Sequence, residues 1–587
     1  MRASPLKAGR GAATHLFINA TSDGRRGMHR VIKWERSDDI YATVEFRVKA
    51  KASSVYVIGS FTSWHPGTAP LSRIGEDEWV GEFRIREGNH YYAFMLNARD
   101  KFLGDCSDTV KIDTFGDACR LQLISDVEAF SGSSWRFRDP GAGLERVRTR
   151  SMEPEGYLDL GEVDGLRWWE RESSDVEGGC DLEPPQWVLD SIIYQVFPSS
   201  FMRDFKDLGD KLSHVADVAD AVYLNPVWES PSYHGYDVTN YFKVKEEYGG
   251  NAGLLEFMDR AHSMGIRVIL DGVFNHVSSM HPLFQDVVER GVKSPFHDWF
   301  IINGDRADPS QFNYEAFLSV RKMPRLNYGN EGVRRLVKDV GEYWVRAGAD
   351  GWRLDVAHGV PPSFWREFTE AITSARRDAY VLGEVWGEPD PWVCSMHGVT
   401  DFAVYRFINN AVRGSINERE VRRLRLLPRG FLYASWNFID NHDTPRLLTV
   451  AQGNPKPVRL GLALVFTLPG VPMIYYGDEV GLPGGPDPDN RRQMIWDPGE
   501  WDLETLSLIK RLREARRELP ELRRGAWSIE VASGVVRVKR WGRRLVELVG
   551  NFSGRQMAVD AVGTDLITGG DISKIELEPY GFALVVS

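Results

Sequence analysis

The sequence predicts an α/β protein: a (β/α)8 TIM barrel over residues 187–504, with a small insert after its third strand and a β-sandwich on either side. Three observations carry this reading. From residue 187 on, apolar strand-like runs alternate with helical periods eight times, the pattern of a parallel sheet wrapped by helices. Before residue 125 and after residue 505 the pattern changes to short runs of period two separated by turn residues, which predicts sandwiches. A chain of 587 residues also exceeds what one hydrophobic core can hold.

Each element follows in order. Residues 1–125 contain ATVEFRV (42–48), SVYVIGSF (54–61), EWVGEFRI (78–85) and YYAFMLN (91–97), which read as strands of an N-terminal sandwich. Residues 126–186 mix Gly, Ser, Glu and Arg and read as a linker. Eight barrel strands are expected at 192–201, 221–228, 267–276, 351–357, 380–386, 401–407, 434–443 and 471–479. Between them, Val333, Leu336, Val337, Val340 and Trp344 recur at helical spacing before Gly348, and Leu254, Phe257, Met258 and Ala261 do so before Gly265. Residues 277–330 are too many for one structureless loop, so they are expected to form an inserted subdomain. In 505–587 an amphipathic helix leads into WSIEVAS, VVRVKRW, RLVELVGNF and FALVVS, a C-terminal sandwich.

Composition narrows the partners. A net charge of -11 argues against nucleic acid, which calls for a basic face, and gives no attraction to an anionic membrane. A neutral or cationic ligand fits better. Nineteen Trp, twenty Tyr and twenty-nine Phe supply flat platforms beyond the needs of a core. Cys106, Cys119, Cys180 and Cys394 are scattered without metal-ligand spacing, so reduced thiols are expected. The N-terminal stretch lacks an apolar run of signal-peptide length, and no run approaches the ~18 apolar residues of a membrane span. A soluble, cytoplasmic protein is expected.

Barrel enzymes keep their chemistry at the C-terminal strand ends. Polar residues gather there. Strand three ends in Asp271, Asn275 and His276, and strand four in Arg353 and Asp355. Strand five ends in Glu384, and strand seven in Asn441, His442 and Asp443. In GWRLDVA (351–357) the strand period puts Arg353 and Asp355 on one face. A fixed cation keeps a neighbouring carboxylate ionised, and an oriented carboxylate can be a nucleophile. Taken alone, the pair could equally be a structural ion pair. Glu384 lies between apolar neighbours in VLGEVWG, which disfavours ionisation and suits a general acid. Asp443 could stabilise a developing sugar cation, and His276 and His442 could donate to hydroxyls. Glycoside hydrolysis needs two carboxyl groups of unlike protonation, ~5–5.5 Å apart for direct attack.

These stretches carry a resemblance. DGVFNH (271–276), GWRLDVAHG (351–359), GEVWG (383–387) and FIDNHD (438–443) resemble, in order and spacing, the four conserved regions of the alpha-amylase superfamily. The resemblance implies a retaining mechanism on α-glucosidic bonds, with Asp355 as nucleophile, Glu384 as acid/base and Asp443 as transition-state stabiliser. It makes Arg353, His276 and His442 ligands of the glycone-side sugar, and Tyr236 of HGYD (234–237) its aromatic platform. MPRLN (323–327) and GGPDPDNRRQMIW (484–496) are similar to segments of the neopullulanase, cyclomaltodextrinase and maltogenic amylase branch. By that match Asp487 and Arg491 bind sugars farther out, and Trp386 lines the aglycone side. Residues 356–359 read Val-Ala-His-Gly where that branch has Val-Ala-Asn-Glu, so its acceptor transfer and α-1,6 preference do not carry over with the match.

The implied substrates are cyclodextrins, malto-oligosaccharides and pullulan or starch. The alternatives are a related α-glucosidase, a branching or transglycosylating enzyme, or an inactive glucan-binding subunit. No cofactor or catalytic metal is required. Asn275 matches a calcium ligand of many amylases, which leaves room for a structural calcium. SVYVIGSFTSW resembles the start of N-terminal starch-binding modules, with Trp64 and Trp79 as candidate glucan contacts. The resemblance also suggests a homodimer through that domain.

Overall fold

The computed structural model describes residues 29–36, 40–59, 70–86, 88–96, 100–102, 109–112, 116–123 and 182–587, the last range without 388, 417–420, 422–423 and 425–426. The chain divides into two units, Met1–Leu158 and Asp159–Ser587.

In the first unit, alternation builds two facing sheets. His29–Arg36, Ile40–Lys49, Glu78–Arg86 and Ser72–Arg73 form one. Val55–Gly59, Gly88–Leu96, Gly116–Leu123 and Thr109–Ile112 form the other, with Asp100–Phe102 beside Gly88–Leu96. Ala42, Val44, Phe46 and Val48 point inward against Val55, Val57, Tyr92 and Phe94, as period two requires. Trp79 is buried and its indole donates to the Ala50 carbonyl at 3.0 Å, a packing role. Trp64, and nearly all of the expected linker 126–186, lie outside the described residues.

The second unit holds the barrel. Its strands are Ile193–Val196, Ala221–Leu224, Arg267–Gly272, Gly351–Leu354, Tyr380–Gly383, Gly398–Val399, Trp436–Asn437 and Val471–Tyr475. They are paired in parallel in the order six, five, four, three, two, one, eight, seven. A parallel bridge between Thr400 and Trp436 joins strand six to strand seven and closes the ring. Each strand is buried on both faces, which is why these segments read as apolar runs and not as alternation. The expected sixth strand at 401–407 is corrected: Phe402–Val412 is a helix, and the strand is the short pair just before it. The Asp401 carboxylate accepts from the Ala403 and Val404 amides, an N-cap that starts the helix.

The insert packs a helix, Pro282–Arg290, and several short turns against the end of strand three. At the C-terminus, Ala526–Ala532, Val535–Trp541, Leu545–Asn551, Phe582–Val586, Met557–Asp565 and Asp571–Leu577 form one antiparallel sheet in that order. One face (Val536, Val538, Val546, Leu548, Leu584) joins the barrel core. The other (Val535, Val549, Ala583, Val585) packs on Ala561 and Leu577 of the same sheet. Cys394 is disulfide-bonded, which departs from the expected reduced thiols; pairing needs only Cα atoms within ~7 Å, which sequence spacing does not reveal. Among the described residues no helix is long and apolar enough to cross a membrane.

Candidate active site

Neighbouring strand ends bring the acidic residues together. Asp271 on strand three lies in register beside Arg353 on strand four. Asp355 and Glu384 each follow the last residue of strands four and five within one position. Arg353 is only 2% exposed, and its guanidinium is the hub. Nη1 donates to Asp271 (3.0 and 3.2 Å) and to Asp355 Oδ1 (2.9 Å). Nη2 lies 2.9 Å from Glu384 Oε1. The two nitrogens of one planar fork therefore hold Asp355 and Glu384 side by side.

The two carboxylates differ in their remaining partners. Glu384 Oε1 also accepts from the Trp386 indole at 2.8 Å, and Oε2 accepts from the Val356 amide at 2.8 Å. Val356 sits at φ 45°, a left-handed conformation that a β-branched residue adopts at a cost of about 1–3 kcal/mol. That turn aims its N–H at Glu384. Asp355 Oδ2 is buried and has no hydrogen-bond partner among the described residues. The apolar wall expected around Glu384 thus includes donors on both oxygens, while the open oxygen belongs to Asp355.

Three carboxylates share one buried guanidinium. Burial pushes Asp355 well above the usual carboxylate range; Arg353 opposes this, and Glu384 and Asp271 add to it. Asp271 is pushed up to about 6 by burial, against Arg353 and the hydroxyls of Tyr223 and Tyr236. Arg353 favours ionised Asp355, as expected, and burial opposes it. Its single charge is divided among three neighbours, and burial is the larger effect.

The aromatic layer lies beside this cluster. The Tyr236 ring stacks on His442, 5.4 Å between centroids and 11° from parallel. Its hydroxyl is 3.0 Å from Asp271 and 2.5 Å from His442 Nε2. His442 is neutral, its pKa pushed well down by burial and by Arg353 and Arg491. His276 is 1% exposed, and its Nε2 lies 2.9 Å from the Tyr236 carbonyl. Phe317 stacks on its other face at 5.0 Å. Burial lowers His276 to about 4, so the neutral ring donates to that carbonyl. In this structure His276 supports the backbone of Tyr236.

The rim is more open. Asp443 Oδ2 lies 3.3 Å from His442 Nε2, and Oδ1 lies 3.2 Å from Arg491. Arg491 also pairs with Asp487 at 3.0 Å and donates to Tyr233 at 3.2 Å. Trp386 is half-buried beside Phe402 and His358, and His358 Nδ1 lies 3.3 Å from the Glu384 carbonyl. All ten residues named from the sequence therefore join one connected constellation. Sequence reasoning missed Gln195, Tyr223 and Asn225, which bind Asp271, Tyr236 and His442 from below. Their one signal is a polar side chain within the apolar runs IIYQVF and AVYLNP.

Asn275 Oδ1, the candidate calcium ligand, is buried and has no hydrogen-bond partner among the described residues. Gly359 runs close beside it: a Cβ there would stand 2.3 Å from that oxygen, so only glycine leaves the oxygen room. Arg325 donates to the Gly359 carbonyl at 2.9 Å and pairs with Glu315 at 2.6 Å. A guanidinium there repels a second cation. Among the described residues no group of three or more His, Cys, Asp or Glu could hold a metal.

The alpha-amylase catalytic-domain model matches residues 195–542. The chain is 34% identical over 460 residues to a cyclomaltodextrinase from Geobacillus thermopakistaniensis (strain MAS1), covering 69% of this chain and 78% of that protein. It is 34% identical over 379 residues to neopullulanase 2 from Thermoactinomyces vulgaris, covering 58% and 65%. The crystal structure of maltogenic amylase from S. marinus shares the fold, with a TM-score of 0.76, 21% identity and coverage of 95% and 99%. The chain belongs to the alpha-amylase family.

Proposed function

We propose that the protein is a retaining glycoside hydrolase that cleaves α-1,4-glucosidic bonds in cyclodextrins and malto-oligosaccharides, and extends to pullulan or starch. The supporting observation is the pair of carboxylates held by one guanidinium, with Asp355 Oδ2 left without a partner. Contact of both acidic groups with one guanidinium supports direct attack over water activation, which needs a wider gap of about 6.5–9.5 Å. Relatives named cyclomaltodextrinase and neopullulanase support the substrate class.

In this reading the glucose ring stacks on Tyr236. Asp355 Oδ2 attacks the anomeric carbon while Glu384 protonates the departing glycosidic oxygen, and a glucosyl ester forms on Asp355. Glu384, now ionised, takes a proton from water, which attacks the same carbon and releases Asp355. Asp443 stabilises the positive charge that develops on the sugar between these steps, and Arg353 holds the two reacting carboxyl groups in place. Asp487, Arg491 and the rim hold sugars farther along the chain, and Trp386 faces the leaving part. No cofactor enters the scheme. A cytoplasmic location and a homodimer through the N-terminal domain complete the proposal; sedimentation at micromolar concentration reads the second.

Substitution tests it. Asp355→Asn is expected to lower kcat on β-cyclodextrin by more than about 10³-fold, since the covalent route is lost. The far-UV circular dichroism should stay unchanged. An active Asp355→Asn enzyme would overturn the assignment. Product chromatography on β-cyclodextrin and maltotriose separates hydrolysis from transfer to sugar acceptors, a reading that the His358–Gly359 departure weakens.

A further inference from the structure

Beneath Tyr236 a chain of hydrogen bonds runs from Asp271 to His442, and its direction is fixed at one end. An ionised carboxylate only accepts, so the hydroxyls of Tyr223 (2.5 Å) and Tyr236 (3.0 Å) both donate to Asp271. Each hydroxyl has one proton, so each accepts from Asn225, whose Nδ2 stands 3.2 and 2.8 Å away. The Asn225 carbonyl oxygen then faces Gln195, whose Nε2 is 2.9 Å from it. The second N–H of that amide meets His442 Nδ1 at 2.8 Å. An amide nitrogen can only donate, so Nδ1 accepts and the ring proton belongs on Nε2. There it faces two acceptors, the Tyr236 hydroxyl at 2.5 Å and Asp443 Oδ2 at 3.3 Å. Turning either amide over would set oxygen against oxygen or nitrogen against nitrogen.

We propose that Gln195 is a positioning residue that fixes the Nε2–H tautomer of His442, so that the imidazole presents a donor, and never a lone pair, to the sugar and to Asp443. The proposal deepens the reading that this site cleaves α-glucosidic bonds and rests on it. Gln195 is buried, and its own Oε1 has no partner among the described residues. The fold leaves that oxygen unsatisfied while both N–H groups are engaged. The arrangement matters because His442 is neutral. Burial, Arg353 and Arg491 keep it so against Glu384, and a neutral ring has two tautomers of which only one donates from Nε2. The charged groups around the ring are Asp443, Arg491, whose Nε donates to the His442 carbonyl at 2.8 Å, Arg353, Glu384 and, through Tyr236, Asp271.

Two variants of the full chain test this, with kcat/KM on β-cyclodextrin followed from pH 5 to 9. Gln195→Met fills the space but cannot donate. It should lower kcat by about tenfold or more while KM moves less than about threefold, because the lost donor serves the transition state. Gln195→Glu sets a carboxylate against Nδ1. It should draw a second proton onto the ring below a raised pKa and release it above, adding a titration step in the neutral range that the parent lacks. A Gln195→Met enzyme within twofold of the parent, or a Gln195→Glu profile identical to the parent's, overturns the proposal. If either variant fails to fold, ¹⁵N shifts of histidine-labelled parent protein decide: a protonated Nε2 with a bare Nδ1 on His442 supports it, and the reverse overturns it. A parent that does not turn over any α-glucan refutes the proposed function instead, and the ¹⁵N result still judges the tautomer.

Discussion

At the level of single residues, the chemistry turns on how little positive charge the site contains. Arg353 contacts Asp271, Asp355 and Glu384 at once. Asp271 is pushed up to about 6 and Asp355 well above its ordinary range, both chiefly by burial. Nucleophilic attack needs the ionised form of Asp355, so kcat/KM should fall with decreasing pH already above the range of an ordinary carboxylate. The acidic limb of the profile is expected above that of a free carboxylate; a limb centred near ~4 would mean ordinary, well-solvated carboxylates. For stability the sign is opposite. A folded pKa above the unfolded value of ~3.9 means that protonated Asp271 favours the fold, an advantage fully present below ~4 and lost as pH rises through about 6. The placement of Asp355 and Glu384 at neighbouring strand ends was legible in the sequence because strand period and the order of apolar runs carry it. Their protonation was not, since it depends on Asp271, which comes from another strand. Gln195 was illegible for the same reason. Its partner His442 is 247 residues away, and one amide in an apolar run carries no direction.

At the level of elements, the loop after strand seven shows how a site residue is held by backbone. The Asn490 amide donates to the carbonyls of Asn441 (3.4 Å), His442 (2.7 Å) and Thr444 (3.0 Å), and Arg491 Nε donates to His442 as well. Asn490 is fully buried. Asn490→Ala would strip one loop of its main donor and leave buried carbonyls without partners. A loss of about 3 kcal/mol is expected from that, together with weaker substrate binding through Asp443 and His442. The melting temperature and KM should shift together; a variant as stable as the parent would show that water replaces the amide. The same scale explains the misplaced sixth strand. DFAVYRF carries apolar residues that suit a strand or a helix, and what decides is the Asp401 cap, together with apolar positions Val404, Phe407, Ile408 and Ala411 on one helical face. The true strand, Gly398–Val399, is too short to leave a period of its own. The other seven strands lie within the expected ranges because burial on both faces demands long apolar runs.

At the level of the whole molecule, the insert and the barrel are joined where a structural cation was expected to have room. The His276–Arg325 bridge, the Val277 amide on the Pro324 carbonyl (3.0 Å) and the Leu326 amide on the Asn275 carbonyl (3.1 Å) sew the end of the insert to the end of strand three. Arg325 completes the seam. Its guanidinium pairs with Glu315 inside the insert and donates to Gly359 in the turn after the Asp355 strand. One side chain thus ties the insert to the backbone that carries the proposed nucleophile, with its positive charge fixed by covalent attachment. If this seam replaces a bound ion, excess EDTA should leave both the melting temperature and the activity of the parent unchanged. Arg325→Met should melt lower, because it leaves the part-buried Glu315 carboxylate without its Arg325 partner. The expected cost is about 3 kcal/mol, and added calcium should not restore the loss, since a neutral side chain of similar length still fills the space. A parent that loses stability in EDTA would show that a cation shares the seam with Arg325.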